Sequence, residues 1–299
     1  MTDYNIMKKD IVVGMGELLF DVFPTGRKIG GAPVNFAYHV NQLGVESLAI
    51  SAVGKDELGN EILDILNEKE ITHIVPCIEE PTGTVQVTLD EKGIPSYEIC
   101  EGVAWDNIPA SDEMMEVAKR CKAFCFGSLA QRSEKSRKAI HLFLDSMADG
   151  EDTLRIFDIN LRQTFYSREV IESSLAKSNV LKINDEEFVT VGQLLEYDSR
   201  DFEKGCRYLM NKYSLRMIIL TCGSEGSYIF WDEGGKSFFP TPKVEVADTV
   251  GAGDSFTAAF VASLLKGHSV TESHRKAVDV SAFVCTQSGA MPVLPEELR

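Results

Sequence analysis

Asp248-Thr-Val-Gly-Ala-Gly-Asp254-Ser-Phe-Thr-Ala-Ala-Phe sets a carboxylate directly after a turn that carries almost no side chain. Gly251, Ala252 and Gly253 lead straight into an apolar helix. Their backbone N–H groups would gather at the positive end of the helix dipole, where an anion binds. Asp254 falls at the helix start, and alone it reads as an ordinary N-cap. Beside an anion cradle it has a second use. A carboxylate there can accept an alcohol's proton while the backbone donors stabilise the charge of a transferring phosphoryl group.

The other glycine clusters carry less. Gly14-Met-Gly16 imitates the opening of a dinucleotide-binding loop, but the third glycine is missing and the next residues are apolar and extended. No Gly-x-x-x-x-Gly-Lys-Ser/Thr occurs, which excludes a Walker-type phosphate loop. Gly30 and Gly31 precede a helix that begins near Ala32 or Pro33, and Asn35 lies in its first turn. A Gly-Gly pair lets backbone approach a ligand closely, and an amide side chain both donates and accepts. Arg162 follows an apolar run at the end where α/β sheets present ligands, and its guanidinium could bridge two anionic groups. Asn184 and Glu187 stand at helix spacing after Leu181–Ile183, a pattern that a helix cap with a solvated glutamate explains equally well. Thr221, Gly223 and Gly226 close the Met217–Cys222 run, where a tight hairpin accounts for the glycines on its own.

Short apolar runs must position these groups. Ile11–Met15, Leu48–Val53, Ala123–Gly127, Leu154–Ile159, Asn179–Ile183 and Met217–Cys222 read as strands. They alternate with helical segments at Ala32–Leu43, Glu57–Lys69, Glu134–Met147, Arg168–Ala176, Arg200–Tyr213 and Ser255–Lys266. Strands apolar on both faces, separated by helices, indicate a mainly parallel sheet covered on each side. Thr84–Asp90 and Ile94–Cys100 break that pattern, because they alternate polar and apolar residues around a turn at Glu91-Lys92-Gly93. With Leu18–Phe23 and Gly26–Gly30 they predict a small antiparallel appendage that could cover a site at the sheet edge. No repeat or linker stands out. The expected organisation is one domain over 1–299, with lid strands from about 17–30 and 82–106.

Asp and Glu outnumber Lys and Arg by 46 to 30, a formal net charge of −16 over 299 residues. That field repels nucleic acid and anionic membrane, so neither is an expected partner. The seven cysteines form no Cys-x-x-Cys pair, and several sit in apolar runs. They read as reduced structural residues of a cytoplasmic protein. The five histidines show no ligand spacing, so no structural zinc is expected. The first ten residues lack an apolar signal region, and no long uncharged apolar stretch suggests a membrane span.

Asp248–Ser255 (DTVGAGDS) together with Gly30–Ala37 (GGAPVNFA) closely resembles the two signatures of the ribokinase-like (PfkB) carbohydrate kinases, in order and at the family's separation. The resemblance implies a three-layer α/β sandwich with a β-sheet lid, and ATP-dependent phosphorylation of a sugar hydroxyl. It makes Asp254 the general base and Gly251–Gly253 the anion hole. Arg162 would bridge acceptor and γ-phosphate; Asp21, Gly30, Gly31 and Asn35 would hold the sugar. Asn184, Thr221, Gly223 and Gly226 fall on the nucleotide side, with Glu187 organising Mg2+ through its waters. Parts of the family use a monovalent cation such as K+, for which Asp248 and Val250 would supply oxygens. The runs GELLFDVFP and GVAWDNIP look most like bacterial fructokinases, which implies D-fructose. Kinases of 2-keto-3-deoxygluconate, ribose or nucleosides, a sugar-phosphate acceptor met by Arg27 and Lys28, and a non-catalytic sugar sensor stay open as alternatives. Tyr97 and Trp105 are candidates to cover the sugar or pack the core, and a homodimer through the lid is plausible by the same likeness.

Overall fold

Successive residues of the central strands feed two separate cores. Val13, Met15, Phe124, Phe126 and Phe157 face one side of the sheet, whereas Val12, Ala123, Cys125 and Ile156 face the other. The period-two alternation of a strand makes this division, so a sheet apolar on both faces must be covered twice. In the computed structural model, which describes residues 11–89, 95–148, 150 and 152–299, helices cover it on both sides. Asp112–Lys119, Glu134–Ser146, Arg168–Lys177, Asp185–Leu195 and Phe202–Tyr213 pack on the first face. Ala32–Gln42, Ala252–Leu265 and Val270–Cys285 pack on the second.

The sheet has nine strands, in the order Lys236–Phe239, Gly226–Trp231, Met217–Cys222, Val180–Asn184, Leu154–Asp158, Cys121–Phe126, Ile11–Met15, Ser47–Ile50 and His73–Ile74. The pairings are parallel except at the Gly226–Trp231 end, where two antiparallel pairings close the edge. The expected run Leu48–Val53 divides into Ser47–Ile50 and a separate short strand Val53–Gly54, which pairs Cys77–Ile78 in a sheet of its own. Helices Asp112–Lys119 and Val270–Cys285 were not expected, although the second starts with a capping box of Ser269 with Glu272; Asp185–Leu195 follows the cap expected at Asn184, which forms a capping box with Glu187.

A second, four-stranded sheet has the order Gly26–Gly30, Leu19–Phe23, Gly83–Leu89, Pro95–Ile99. Leu19–Phe23 pairs antiparallel with Gly26–Gly30 and parallel with Gly83–Leu89. The turn expected at Glu91-Lys92-Gly93 lies outside the described residues. In register, Asp21 stands opposite Val85 and Val85 opposite Ile99. Among the described residues, no helix is long and apolar enough to cross a membrane.

Candidate active site

The chain leaving Ile11–Met15 passes to a helix on one face, and the chain leaving the neighbouring Cys121–Phe126 passes to helices on the other. Where adjacent parallel strands part in this way, a crevice opens at their carboxyl ends. A cleft of about 1350 Å³ occupies it and continues under the small sheet. Asp21, Gly30, Gly31, Asn35, Arg162, Asn184, Glu187, Thr221, Gly223, Gly226, Val250, Gly251, Ala252, Gly253 and Asp254 all line it. Asp248 does not.

At its centre, Gly251 is the N-cap of Ala252–Leu265 with φ of 79°, and a Cβ there would stand 2.7 Å from the Ala290 Cβ. Only glycine suits that combination of left-handed backbone and close packing. Asp254 is therefore not the cap. It sits in the first helical turn, and Asn35 Nδ2 donates to its Oδ2 at 2.8 Å. Burial pushes the Asp254 carboxyl up to about 6, with the Asp158 charge adding to the rise and Asn35, Lys182 and Arg162 opposing it. Lys182 is buried and lies 3.0 Å from Asp158 Oδ1, while Thr257 Oγ1 donates to Asp158 Oδ2 at 3.1 Å. The ammonium also reaches within 3.0 Å of the point where a Cβ on Gly253 would stand. A buried positive charge thus underlies the helix tip. Sequence reasoning missed it, because one lysine in an apolar strand carries no local signal.

On the acceptor side, Gly31 caps Ala32–Gln42 with φ of 132°, and a Cβ there would fall 2.4 Å from the Glu17 carbonyl oxygen. The helix entry is therefore pressed against the chain leaving the first strand. Asn35 Oδ1 is buried without a partner beside the cleft, an acceptor left open for a ligand's donor. Asp21 is partly buried, and burial raises its carboxyl against the pull of Arg162 and Lys28. Two further polar residues here, Glu17 and Asn160, were given no role from the sequence. Glu17 is 3% exposed and Asn160 Nδ2 donates to its Oε1 at 3.4 Å. Leu19, Val85, Ile99 and Leu129 close this end with apolar surface. Trp105 is fully buried, with the Arg132 guanidinium 4.1 Å from its ring centre, and does not line the cleft. The Tyr97 side chain lies outside the described residues.

At the other end, Glu187 is not a solvated glutamate. Its Oε1 accepts from Leu161 N–H at 2.9 Å and its Oε2 from Asn184 N–H at 3.0 Å, so it is buried and ties two strand ends together. With both oxygens so engaged, it suits a metal held through water rather than direct ligation. Among the described residues no cluster of His, Cys, Asp and Glu could hold a metal unaided, so Mg2+ fits here as the companion of a bound polyphosphate. Thr221, Gly223 and Gly226 form the expected hairpin and also line the cleft. Val244, Val246 and Val250, exposed by 36%, 58% and 50%, line it opposite Ala282 of the last long helix. Val244 and Val246 were also missed, and Val250 was expected only as an oxygen donor to a cation; exposed apolar residues in a loop give no periodic signal. Asp248 Oδ1 accepts from Val250 N–H at 3.1 Å and Oδ2 from Gly289 N–H at 3.1 Å, with Lys28 Nζ 3.7 Å from Oδ2. A monovalent cation fits poorly at a carboxylate already served by two N–H groups and an ammonium.

A family model described as pfkB family carbohydrate kinase matches residues 1–297. "Probable fructokinase-5" of Arabidopsis thaliana is 30% identical, over 95% of this chain and 94% of that protein. An ATP-dependent 6-phosphofructokinase of Thermoanaerobacterium thermosaccharolyticum is 27% identical, over 97% of this chain and 92% of its own length. The crystal structure of a fructokinase with bound ATP from Xylella fastidiosa matches with a TM-score of 0.83 at 20% identity, covering 96% of each chain. At that identity the likeness shows the fold alone.

Proposed function

The chain belongs to the pfkB family of carbohydrate kinases, and from that premise we propose that it transfers the γ-phosphoryl group of ATP to the 6-hydroxyl of D-fructose. The observation that carries the reading is the pairing of the partly buried Asp254 carboxyl, held by Asn35, with the Gly251–Gly253 helix tip in one cleft. Asp254 takes the hydroxyl proton as the new oxygen–phosphorus bond forms. The bond from the γ-phosphorus to the β–γ bridging oxygen breaks, and ADP leaves with that electron pair. Backbone N–H groups of residues 251–253, with Lys182 behind them, stabilise the charge on the equatorial oxygens. Arg162 bridges the acceptor and the γ-phosphate, and Asp21, Gly30, Gly31 and Asn35 hold the sugar. The adenine lies against Val244, Val246 and Val250, with Asn184, Thr221, Gly223 and Gly226 beside the ribose and phosphates. Mg2+ bound with the polyphosphate would supply charge neutralisation, with Glu187 the residue that would hold it through water.

The small sheet closes as a lid that excludes water. It is also the surface through which a homodimer would form, which light scattering can test. The cytoplasm is the expected compartment. The 6-phosphofructokinase relative raises a phosphorylated acceptor as a second reading. Against it, Arg27 pairs with Glu61, Lys28 lies beside Asp248, and neither lines the cleft. A coupled ADP-release assay over fructose, ribose, 2-keto-3-deoxygluconate, adenosine and fructose 6-phosphate tests the proposal. Fructose should give the highest kcat/KM. A preference of about tenfold for any other acceptor removes the fructose assignment, and sugar binding without turnover would replace the kinase with a sensor.

A further inference from the structure

Behind the reacting centre, Glu17, Asp158, Asn160 and Asp254 share a small recess of about 10 Å³ with the end of the Cys121–Phe126 strand and the start of the Ala32–Gln42 helix. That is room for a single water. The two oxygens of Glu17 differ sharply. Oε1 accepts from the Ala32 backbone N–H at 3.3 Å and from Asn160 Nδ2 at 3.4 Å. Oε2 is buried and, among the described residues, has no hydrogen-bond partner. An ionised carboxylate calls for donors to both oxygens; a neutral carboxylic acid calls for them on one, and its other oxygen becomes a donor that the single water of the recess can accept. The donors from other residues both fall on Oε1.

We infer that Glu17 works as a neutral carboxylic acid with its proton on Oε2, a positioning residue that anchors the sugar-binding helix without setting a second negative charge beside Asp254. The inference deepens the kinase reading above and rests on Asp254 as its base. The charged groups around Glu17 are Asp254 from the Ala252–Leu265 helix, Arg162 from the loop after Leu154–Asp158, and the Asp158–Lys182 pair. Burial pushes the Glu17 carboxyl up to about 7, with the Asp254 charge adding to the rise and Glu17's own backbone N–H, Arg162 and the Ala32 N–H opposing it. Two carboxyls facing one recess do not both ionise easily, and the one with less cationic support keeps the proton: Lys182 and Arg162 both favour ionised Asp254, whereas only Arg162 favours ionised Glu17. At neutral pH that is Glu17, because Asp254 has Asn35 and the nearby cations. Ionised Glu17 would oppose both the base and an incoming phosphoryl group.

The sign of the pH effect follows. Below neutrality Glu17 is uncharged; as pH rises it ionises and adds a negative charge to the centre. The intact protein should therefore lose kcat/KM on the alkaline side, while Glu17→Gln, which mimics the neutral acid, should lose that alkaline limb whatever its plateau. Glu17→Gln should keep the acid limb set by Asp254. Infrared difference spectra of the intact chain should show a protonated-carboxyl band at pH 6 that Glu17→Gln lacks. No such band, or an alkaline limb identical in parent and Glu17→Gln, overturns the inference. Asp254→Asn separates it from the wider reading: full activity in that variant removes the kinase mechanism, whereas an inactive Asp254→Asn with an unmoved Glu17→Gln profile removes only the role of Glu17.

Discussion

The end of the cleft proposed for the acceptor is built from polar groups hydrogen-bonded to their neighbours, while the end proposed for the nucleotide is walled by an extended segment with exposed apolar side chains. Around Asn35, Asp254 and Glu17, strand ends and two helix tips converge, and the polar contacts are made before any ligand arrives. Residues 240–248 form no helix or strand, and the three valines between 244 and 250 stand at 36%, 58% and 50% exposure. The difference is chemical. A site that must tell one sugar from another needs fixed hydrogen bonds, because an unmet buried polar group penalises the wrong ligand heavily. A flat aromatic base can be held by apolar contact, which tolerates looser walls.

Asp254→Asn is the severest test of this contrast. It should lower kcat by about 10²–10⁴-fold, with both substrates still binding by calorimetry; retained turnover would place the chemistry elsewhere. Asp21→Asn comes next. Losing a charged acceptor to a sugar hydroxyl should raise the sugar KM by about 10–100-fold and leave the ATP KM alone. Equal movement of both constants would show that the two ends are not separable. Acidification should act at the acceptor end. Asp254 must be ionised to work and its carboxyl sits at about 6, so kcat/KM at pH 5 should be about a tenth of its plateau. A flat profile down to pH 5 would mean that Asp254 stays ionised. The smallest effect belongs to the loose wall: Val246→Ala should raise the ATP KM by about two- to fivefold without touching the sugar KM.

Local pattern made much of this legible. Ile11–Met15 and Met217–Cys222 are largely apolar runs, each preceded by a charged residue and followed by a glycine, and they form strands with those limits. The Gly-Gly turn before Ala32 and the Gly-Ala-Gly turn before Asp254 announce helix entries, since few other residues tolerate that backbone. Val270–Cys285 escaped notice despite its Ser269–Glu272 capping box, because its apolar residues are diluted by charge. Asn184 and Glu187 presented one spacing for two uses, and the capping box is realised while Glu187 also faces the cleft.

The amino-acid sequence alone determined the class of sheet, the two helix tips and the residue types gathered at each, because strand period, helix entry and turn chemistry act over fewer than about ten residues. Tertiary structure decided which strands became neighbours. That choice brought Lys182 beneath Gly253, set Glu17 beside Asn160, and gave Glu187 the backbone N–H of Leu161. It also set the charge states: a carboxyl's pKa depends on how much water is excluded and which charges are enclosed with it, and both are properties of the packed chain.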